Sequence, residues 1–119
     1  MSTPGNIFSE LEDLQNLEDV EAVILFRADG NVIESIFSEN NSQERLRTIQ
    51  WSKENIEKVS LEMRSNNLQK VNYELNNFHV LFFIVNKIII LTIIADQDAN
   101  LSLLSIESKR KKQILSSIL

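Results

Sequence analysis

Residues 78–95, FHVLFFIVNKIIILTIIA, decide the fold of this 119-residue chain. Only four polar residues interrupt the apolar character of this stretch. Its length is close to the about 20 apolar residues that a membrane-spanning helix needs. A charge at the position of Lys87, in the middle of the stretch, is costly inside a bilayer, and the abundance of Ile, Val and Phe favours strands. We therefore predict no membrane insertion but two strands, at 78–85 and 88–95, joined by a turn at Asn86 and Lys87.

The two predicted strands lack the alternation of apolar and polar residues that marks a sheet with one wet face. We therefore expect helices on both faces of the sheet. In contrast, residues 70–75 alternate strictly, with Val71, Tyr73 and Leu75 apolar and their neighbours polar. This pattern predicts a strand at an edge of the sheet.

The remaining elements follow from short-range signals. Ala28-Asp29-Gly30 separates two apolar segments, which predicts a β-hairpin. Helical spacing of apolar residues predicts a short first helix, a long helix from Ser42 to about Ser65, and a final helix after Asn100. The predicted order is α β β α β β β α, and no repeat or linker divides it, so we expect a single domain over residues 1–119.

The long helix has one unusual position. Leu46, Ile49 and three later apolar residues (Ile56, Val59 and Met63) fall on one side of the helical wheel and predict its buried face. Trp51 falls on the opposite side among polar neighbours, so we expect it to point outward. It either lies flat on the helix surface or serves as an anchor for a protein partner, because Trp is enriched at interface hot spots.

Composition excludes several function classes. The chain has 12 basic and 17 acidic residues, a net charge of −5, which disfavours binding to nucleic acid. It has no Cys, which excludes thiolate metal sites and a Cys nucleophile and fits a reducing compartment, so we expect a cytoplasmic protein. The lone His79 lies within a predicted strand and has no partner motif, so we expect it to be structural. No motif indicates catalysis or a cofactor.

Two further motifs have structural interpretations. Asp96, Asp98, Asn100 and Glu107 have the spacing of a calcium-binding EF loop, but Leu101 stands where the loop needs Gly and a strand precedes it, so we predict no metal site. The basic run 109–112 spreads around the final helix. We interpret these residues as cations that the helix macrodipole stabilises near the last turns. A role in steering an acidic partner stays open.

Three stretches resemble the roadblock family, which includes roadblock-type dynein light chains. They are DVEAVILFRADGNVI at 19–33, NYEL at 72–75 and IIILTIIADQDANLSLLSIESKR at 88–110. The resemblance implies an α+β, profilin-like three-layer α/β/α fold. Its antiparallel sheet of five strands has the order 2-1-5-4-3, with the long helix on one face and the other two helices on the other.

The resemblance also implies how copies of the chain associate. Roadblock proteins typically dimerise by joining their third strands into one sheet and packing their long helices side by side. Trp51, Val71, Tyr73 and Leu75 lie in those two elements and are the expected dimer or partner interface. A homodimer is favoured, and a heterodimer with another roadblock protein is the alternative.

The function implied by the resemblance is that of a non-enzymatic dimeric platform for a small Ras-like GTPase, as a scaffold or a subunit of an activating or exchange complex. An arginine finger from Arg27, Arg45 or Arg47 is an option that no motif favours. The alternative is a structural adaptor or light-chain subunit of a motor or cytoskeletal complex. A small-molecule sensor ranks last, because it needs a pocket with polar lining between sheet and helix, and the central strands offer few polar residues.

Overall fold

The computed structural model describes residues 6–38 and 42–119. The elements have the predicted order. In chain order they are α1 (Ile7–Gln15), β1 (Val20–Arg27), β2 (Val32–Phe37), α2 (Gln43–Ser65), β3 (Lys70–Leu75), β4 (Phe78–Ile84), β5 (Ile89–Asp96) and α3 (Leu101–Ile118).

The five strands form one antiparallel sheet in the order β2-β1-β5-β4-β3, as expected. Alternate residues of the central strands enter two separate apolar cores. Ala22, Ile24 and Phe26 pack with α2 on one face, whereas Val23 and Leu25 pack with α1 and α3 on the other. The three-layer α+β architecture is therefore confirmed.

The apolar stretch that decides the fold forms β4 and β5, whose residues are almost all buried. The side chain of Asn86 closes the turn between them, because its Oδ1 accepts hydrogen bonds from the N–H groups of Ile88 and Ile89, both at 3.0 Å. The strands end one residue from the predicted bounds, at Ile84 and Asp96. No helix among residues 6–38 and 42–119 is long and apolar enough to cross a membrane.

Polar side chains cap the helices. Ser42 Oγ accepts from the N–H of Arg45 at 3.3 Å and starts α2, and Asn100 Oδ1 accepts from the N–H of Leu103 at 3.0 Å and starts α3. Asp96 Oδ1 accepts from the N–H of Asp98 at 3.0 Å. The acidic loop before α3 therefore turns the chain from strand to helix through hydrogen bonds to its own backbone.

The prediction for the buried face of α2 was partly wrong. Leu46 is 50% exposed, whereas the guanidinium of Arg45 is buried. Arg45 Nη1 donates to the carbonyl oxygen of Ser38 at 2.8 Å and to Ser38 Oγ at 2.6 Å, and it lies 4.0 Å from Glu21 Oε2. Burial of this charge is tolerated because it is paired, which sequence spacing alone does not show. A buried Arg45 is also unsuited to be an arginine finger.

The prediction for the basic run was also wrong. Residues 109–112 lie in the middle of α3, and Lys111 is only 5% exposed. Its Nζ donates to Glu10 Oε2 and to Asp13 Oδ2, both at 2.6 Å, and so ties α3 to α1. Burial alone would lower the pKa of Lys111, but the hydrogen bonds and charges of Asp13 and Glu10 outweigh it and raise that pKa.

Candidate partner interface

The edge strand β3 is regular along its whole length. Val71, Tyr73 and Leu75 are half-buried on the face that carries α2, and the residues between them are exposed. The strand pairs with β4 without any register shift from Lys70 to Leu75. The predicted alternation and the position at the edge are both confirmed.

The free edge of β3 offers unpaired backbone groups. Ile84 N–H donates to the carbonyl oxygen of Gln69 at 3.1 Å, which fixes the alternation of hydrogen bonds along the ladder to β4. Val71, Tyr73 and Leu75 therefore direct their backbone groups toward β4. Lys70, Asn72 and Glu74 direct theirs away from the sheet, where no side chain of the described residues accepts from their N–H groups.

An aromatic cluster supports this edge from the α2 side. Trp51 and Tyr73 make an edge-to-face contact, with ring centroids 5.2 Å apart and an interplanar angle of 62°. Phe82 of β4 completes the cluster, with its centroid 5.9 Å from Tyr73 and 6.3 Å from Trp51. Such pairs contribute about 0.5–1.5 kcal/mol beyond the area they bury.

The prediction that Trp51 points outward was therefore wrong. Its side chain is half-buried against Tyr73 and Phe82, although it lies off the main buried stripe of α2. The reason is that α2 lies over β4, β5 and β1 and reaches β3 with its flank, so a residue on that flank meets the edge strand. A helical wheel predicts which side of α2 carries Trp51, but not which strand that side packs against.

Hydrogen bonds join the same flank of α2 to the edge. The hydroxyl of Tyr73 donates to Glu62 Oε2 at 3.4 Å, and Asn77 Nδ2 donates to Glu44 Oε2 at 2.9 Å. Burial raises the pKa of Tyr73, and the charge and hydrogen bond of Glu62 raise it further. Neither acidic residue could be assigned to this surface from the sequence, because its contact depends on the position of the helix on the sheet.

The structure brings the four predicted interface residues together. Val71, Tyr73, Leu75 and Trp51 all pack against the core on the α2 side. Trp51 and Leu75 also line a shallow depression of about 170 Å³ at the end of the edge, with Arg47, Thr48 and Asn76. The surface combines apolar rings with free backbone donors and acceptors, which suits recognition of another protein.

Outside this surface, His79 and Arg27 each have a carboxylate neighbour. His79 is buried, and its Nε2 lies 3.9 Å from Glu74 Oε1. Arg27 is exposed and paired with Asp29 at 3.1 Å. Within residues 6–38 and 42–119, no three His, Asp or Glu side chains are placed to hold a metal ion together.

Comparison with solved structures gives close matches in fold. MglC from Myxococcus xanthus has a TM-score of 0.79 at 11% identity, over 94% of this chain and 98% of that chain. The gliding protein MglB from Thermus thermophilus has a TM-score of 0.76 at 14% identity, over 99% of this chain and 92% of that chain. A Roadblock/LC7 domain from Streptomyces avermitilis has a TM-score of 0.70 at 12% identity, over 94% and 96%.

Sequence comparison identifies a family for this chain. No curated protein matches the chain. The model of the AF0774-like protein family matches residues 5–109, which is most of the chain. The resemblance to roadblock proteins is confirmed in the fold. The chain therefore belongs to the AF0774-like protein family and has the fold of Roadblock/LC7 domains.

Proposed function

We propose that this protein is a non-enzymatic, cytoplasmic, dimeric platform that binds and regulates a small Ras-like GTPase. The observation that carries the proposal is the straight, unblocked edge of β3, supported from one side by Trp51 and Tyr73. An exposed strand edge of this kind is an aggregation hazard unless something pairs with it. A second copy of the chain removes the hazard through a closed two-fold contact.

The geometry of β3 favours one register for the paired strands. Residues opposite each other in a sheet share a face, so exposed residues must face exposed residues across the two-fold axis. Placing Asn72 opposite its own copy puts Lys70 opposite Glu74 of the second copy, and Val71 opposite the second copy's Tyr73. The alternative register, with Tyr73 opposite its copy, leaves Lys70 facing an uncharged Asn76. The first register pairs opposite charges and is the one we propose.

The continuous sheet would place the two α2 helices next to each other on one face. The flank that carries Trp51 and Glu62 would then face the second copy, and the outer surface of both helices would form the platform. Leu61 lies on that outer surface and is 68% exposed. We propose Leu61 as a contact for the GTPase.

Regulation by such a platform needs no catalytic residue. A partner shifts a conformational equilibrium only through different affinities for its states, so the platform must bind one nucleotide state of the GTPase more tightly than the other. The fold likeness to MglB and MglC and the resemblance to the roadblock family support a role as regulator or adaptor.

The test is capture of partners from lysate of the native host, with either GDP or a non-hydrolysable GTP analogue present. The bait is the wild-type protein, the L61A variant or the I106A control. Ile106 is 65% exposed, almost as much as Leu61, but it lies on α3, on the opposite face of the sheet. We expect a small GTPase to be enriched in one nucleotide state, to be lost with L61A and to be retained with I106A.

Other results of the same experiment would contradict the proposal. Enrichment of filament or motor subunits equally with both nucleotides would favour the alternative, a structural adaptor or light-chain subunit. Loss of the GTPase with both variants would place the contact elsewhere or indicate a folding defect, which circular dichroism of each variant distinguishes. Sedimentation equilibrium of the purified chain separates a homodimer from a chain that needs another roadblock protein.

A further inference from the structure

A cationic depression lies between α3 and the start of β3, on the face of the sheet opposite α2. Its volume is about 280 Å³. Most of the surface that lines it is apolar, and the buried Phe83 of β4 contributes to that surface. The remaining lining residues are polar or basic, and they are Gln69, Lys70, Ser105, Lys109 and Lys112.

Two hydrogen bonds hold lysine side chains across this depression. Lys70 Nζ donates to Ser105 Oγ at 2.6 Å, and Lys112 Nζ donates to Gln69 Oε1 at 3.3 Å. Each bond joins the β3 side to α3, so residues far apart in sequence converge on one cavity. Over residues 6–38 and 42–119, no carboxylate lies within 4.0 Å of the ammonium groups of Lys70, Lys109 or Lys112.

The electrostatics of Lys112 differ from those of its neighbour in sequence. Burial lowers the pKa of Lys112, and the positive charge of Lys109 lowers it further. Lys111 has two carboxylate partners, and its pKa is raised. Within one chain, Lys109 and Lys112 therefore carry positive charges without a carboxylate partner, and each disfavours the charge of the other.

We propose that this depression binds a phosphate-class oxyanion through Lys70, Lys109 and Lys112. Ammonium groups are compact point charges that bind phosphate oxygens, and three of them can neutralise a multiply charged anion. Ser105 and Gln69 offer further hydrogen bonds, and the apolar wall at Phe83 accommodates a carbon skeleton attached to the anion. The size of the cavity suits a small molecule or a single head group rather than a nucleic acid backbone.

Except for Lys70, this site lies outside the proposed dimer and GTPase contacts. The site also differs from the sensor pocket that we considered between the sheet and a helix. That pocket would be lined by the central strands, whereas the polar residues here come from the start of β3 and from α3. Lys70 is shared with the proposed dimer register, but Lys109 and Lys112 are not. Substitutions of those two residues therefore test the anion site separately from dimerisation.

The experiment is an NMR titration of the full ¹⁵N-labelled chain with pyrophosphate at constant ionic strength. The variants are K109Q, K112Q and the double variant, and K53Q and K58Q are the controls. Lys53 and Lys58 are exposed on α2, on the other face of the sheet, and their substitution changes the net charge by the same amount. We expect saturable shifts of the amides of Lys70, Phe83 and Ser105 in the wild-type protein.

Each pocket substitution should weaken pyrophosphate binding by about tenfold, since one charge-assisted contact is lost. The double variant should show no saturable binding, and the controls should match the wild-type protein. Bound pyrophosphate should also raise the pKa of the Lys112 ammonium group, measured on its side-chain resonances. Absence of saturable shifts at the pocket, or equal loss in K53Q and K58Q, would mean nonspecific charge screening and would overturn the proposal.

A second arm distinguishes the source of the oxyanion. Sedimentation with phosphatidylcholine vesicles that contain a minor fraction of phosphatidic acid tests a lipid head group. Binding to these vesicles that is lost in K109Q/K112Q assigns the site to the head group. Pyrophosphate binding without vesicle binding assigns it to a free phosphorylated molecule, and both results support phosphate-class recognition.

Discussion

The sheet has two edge strands of equal length, and they differ in almost every property that governs pairing. In β3 the register with β4 is unbroken, and the exposed and half-buried residues alternate. In β2 the register with β1 shifts between Leu25 and Phe26, so that Ile33 is an extra residue. Such a bulge twists a strand and disrupts its straight row of donors and acceptors.

The backbone groups at the two edges also differ. Ser38 N–H donates to the carbonyl oxygen of Glu21 at 2.9 Å, so the ladder leaves the N–H of Ser35 facing outward from β2. That N–H donates to Glu34 Oε1 at 3.3 Å, whereas the outward N–H of Asn72 in β3 has no side-chain partner among the described residues. At these positions an outward N–H of β2 is therefore bonded within its own chain, whereas an outward N–H of β3 is left available for a partner.

Proline at matched positions of the two edges should give the largest effect. Asn72→Pro removes an outward donor from β3 without removing a hydrogen bond to β4, and we expect it to weaken the dimer by about 100-fold. Ser35→Pro makes the corresponding change in β2 and should leave the dimer intact. Sedimentation equilibrium measures the dimer affinity of each variant. Equal weakening by the two variants would show that the edges do not differ in function.

Helix α1 packs against β2 on one face of the sheet and is tied to α3 by Lys111. Lys111→Met removes a buried ammonium and leaves Glu10 and Asp13 unpaired. Because both carboxylates keep access to water, we expect a loss of about 1–2 kcal/mol in the free energy of unfolding. Amide exchange in β2 should rise more than in β3. Lys58→Met, on the exposed surface of α2, is the control.

The same Lys111 cluster predicts a loss of stability in alkali. The pKa of Lys111 is raised in the folded state, so its stabilising charge is fully present below the ordinary lysine pKa of 10.5. That stabilisation is lost as the pH rises through the higher pKa of the folded state. Chemical unfolding at a series of alkaline pH values should show a larger loss in the wild-type protein than in Lys111→Met, in which the raised pKa of Tyr73 still contributes a loss.

The proposed register of β3 predicts a smaller, reciprocal effect of charge. Lys70→Glu or Glu74→Lys alone should place like charges opposite each other and weaken the dimer, by about 0.2–1 kcal/mol for each of the two symmetric pairs. The double exchange should restore the wild-type affinity. Unchanged dimer affinity in the single variants would favour the register with Tyr73 opposite its copy, in which Lys70 faces an uncharged residue.

The smallest expected effect is on the pKa of Tyr73, which is the only tyrosine of the chain. Glu62→Gln should lower this pKa toward its ordinary value of 10.0, because it removes the charge that adds to the effect of burial. Phenolate absorbance of the folded protein measures it directly. Glu57→Gln, on the opposite flank of α2, should leave it unchanged, and an equal shift would indicate a general charge effect.

Much of the fold could be predicted from local chemistry. Asp29-Gly30 and Asn86-Lys87 indicated the turns of the two hairpins, and Ser42 indicated the start of α2. The alternation around Tyr73 indicated the edge strand. The candidate interface surface was predicted only in part. Val71, Tyr73 and Leu75 lie where expected, but the packing of Trp51 and the role of Glu62 depend on how α2 lies across the sheet.

The sequence alone determined the order of the elements, the two-sided burial of the central hairpin and the alternation of β3, because turn residues and apolar periodicity act within a few residues. Tertiary structure decided which polar groups meet: Arg45 with Glu21, Lys111 with the carboxylates of α1, and Lys70 with Ser105 of α3. These contacts join residues far apart in the chain. Their charges are placed by the packing of whole helices on the sheet, for which local spacing contains no information.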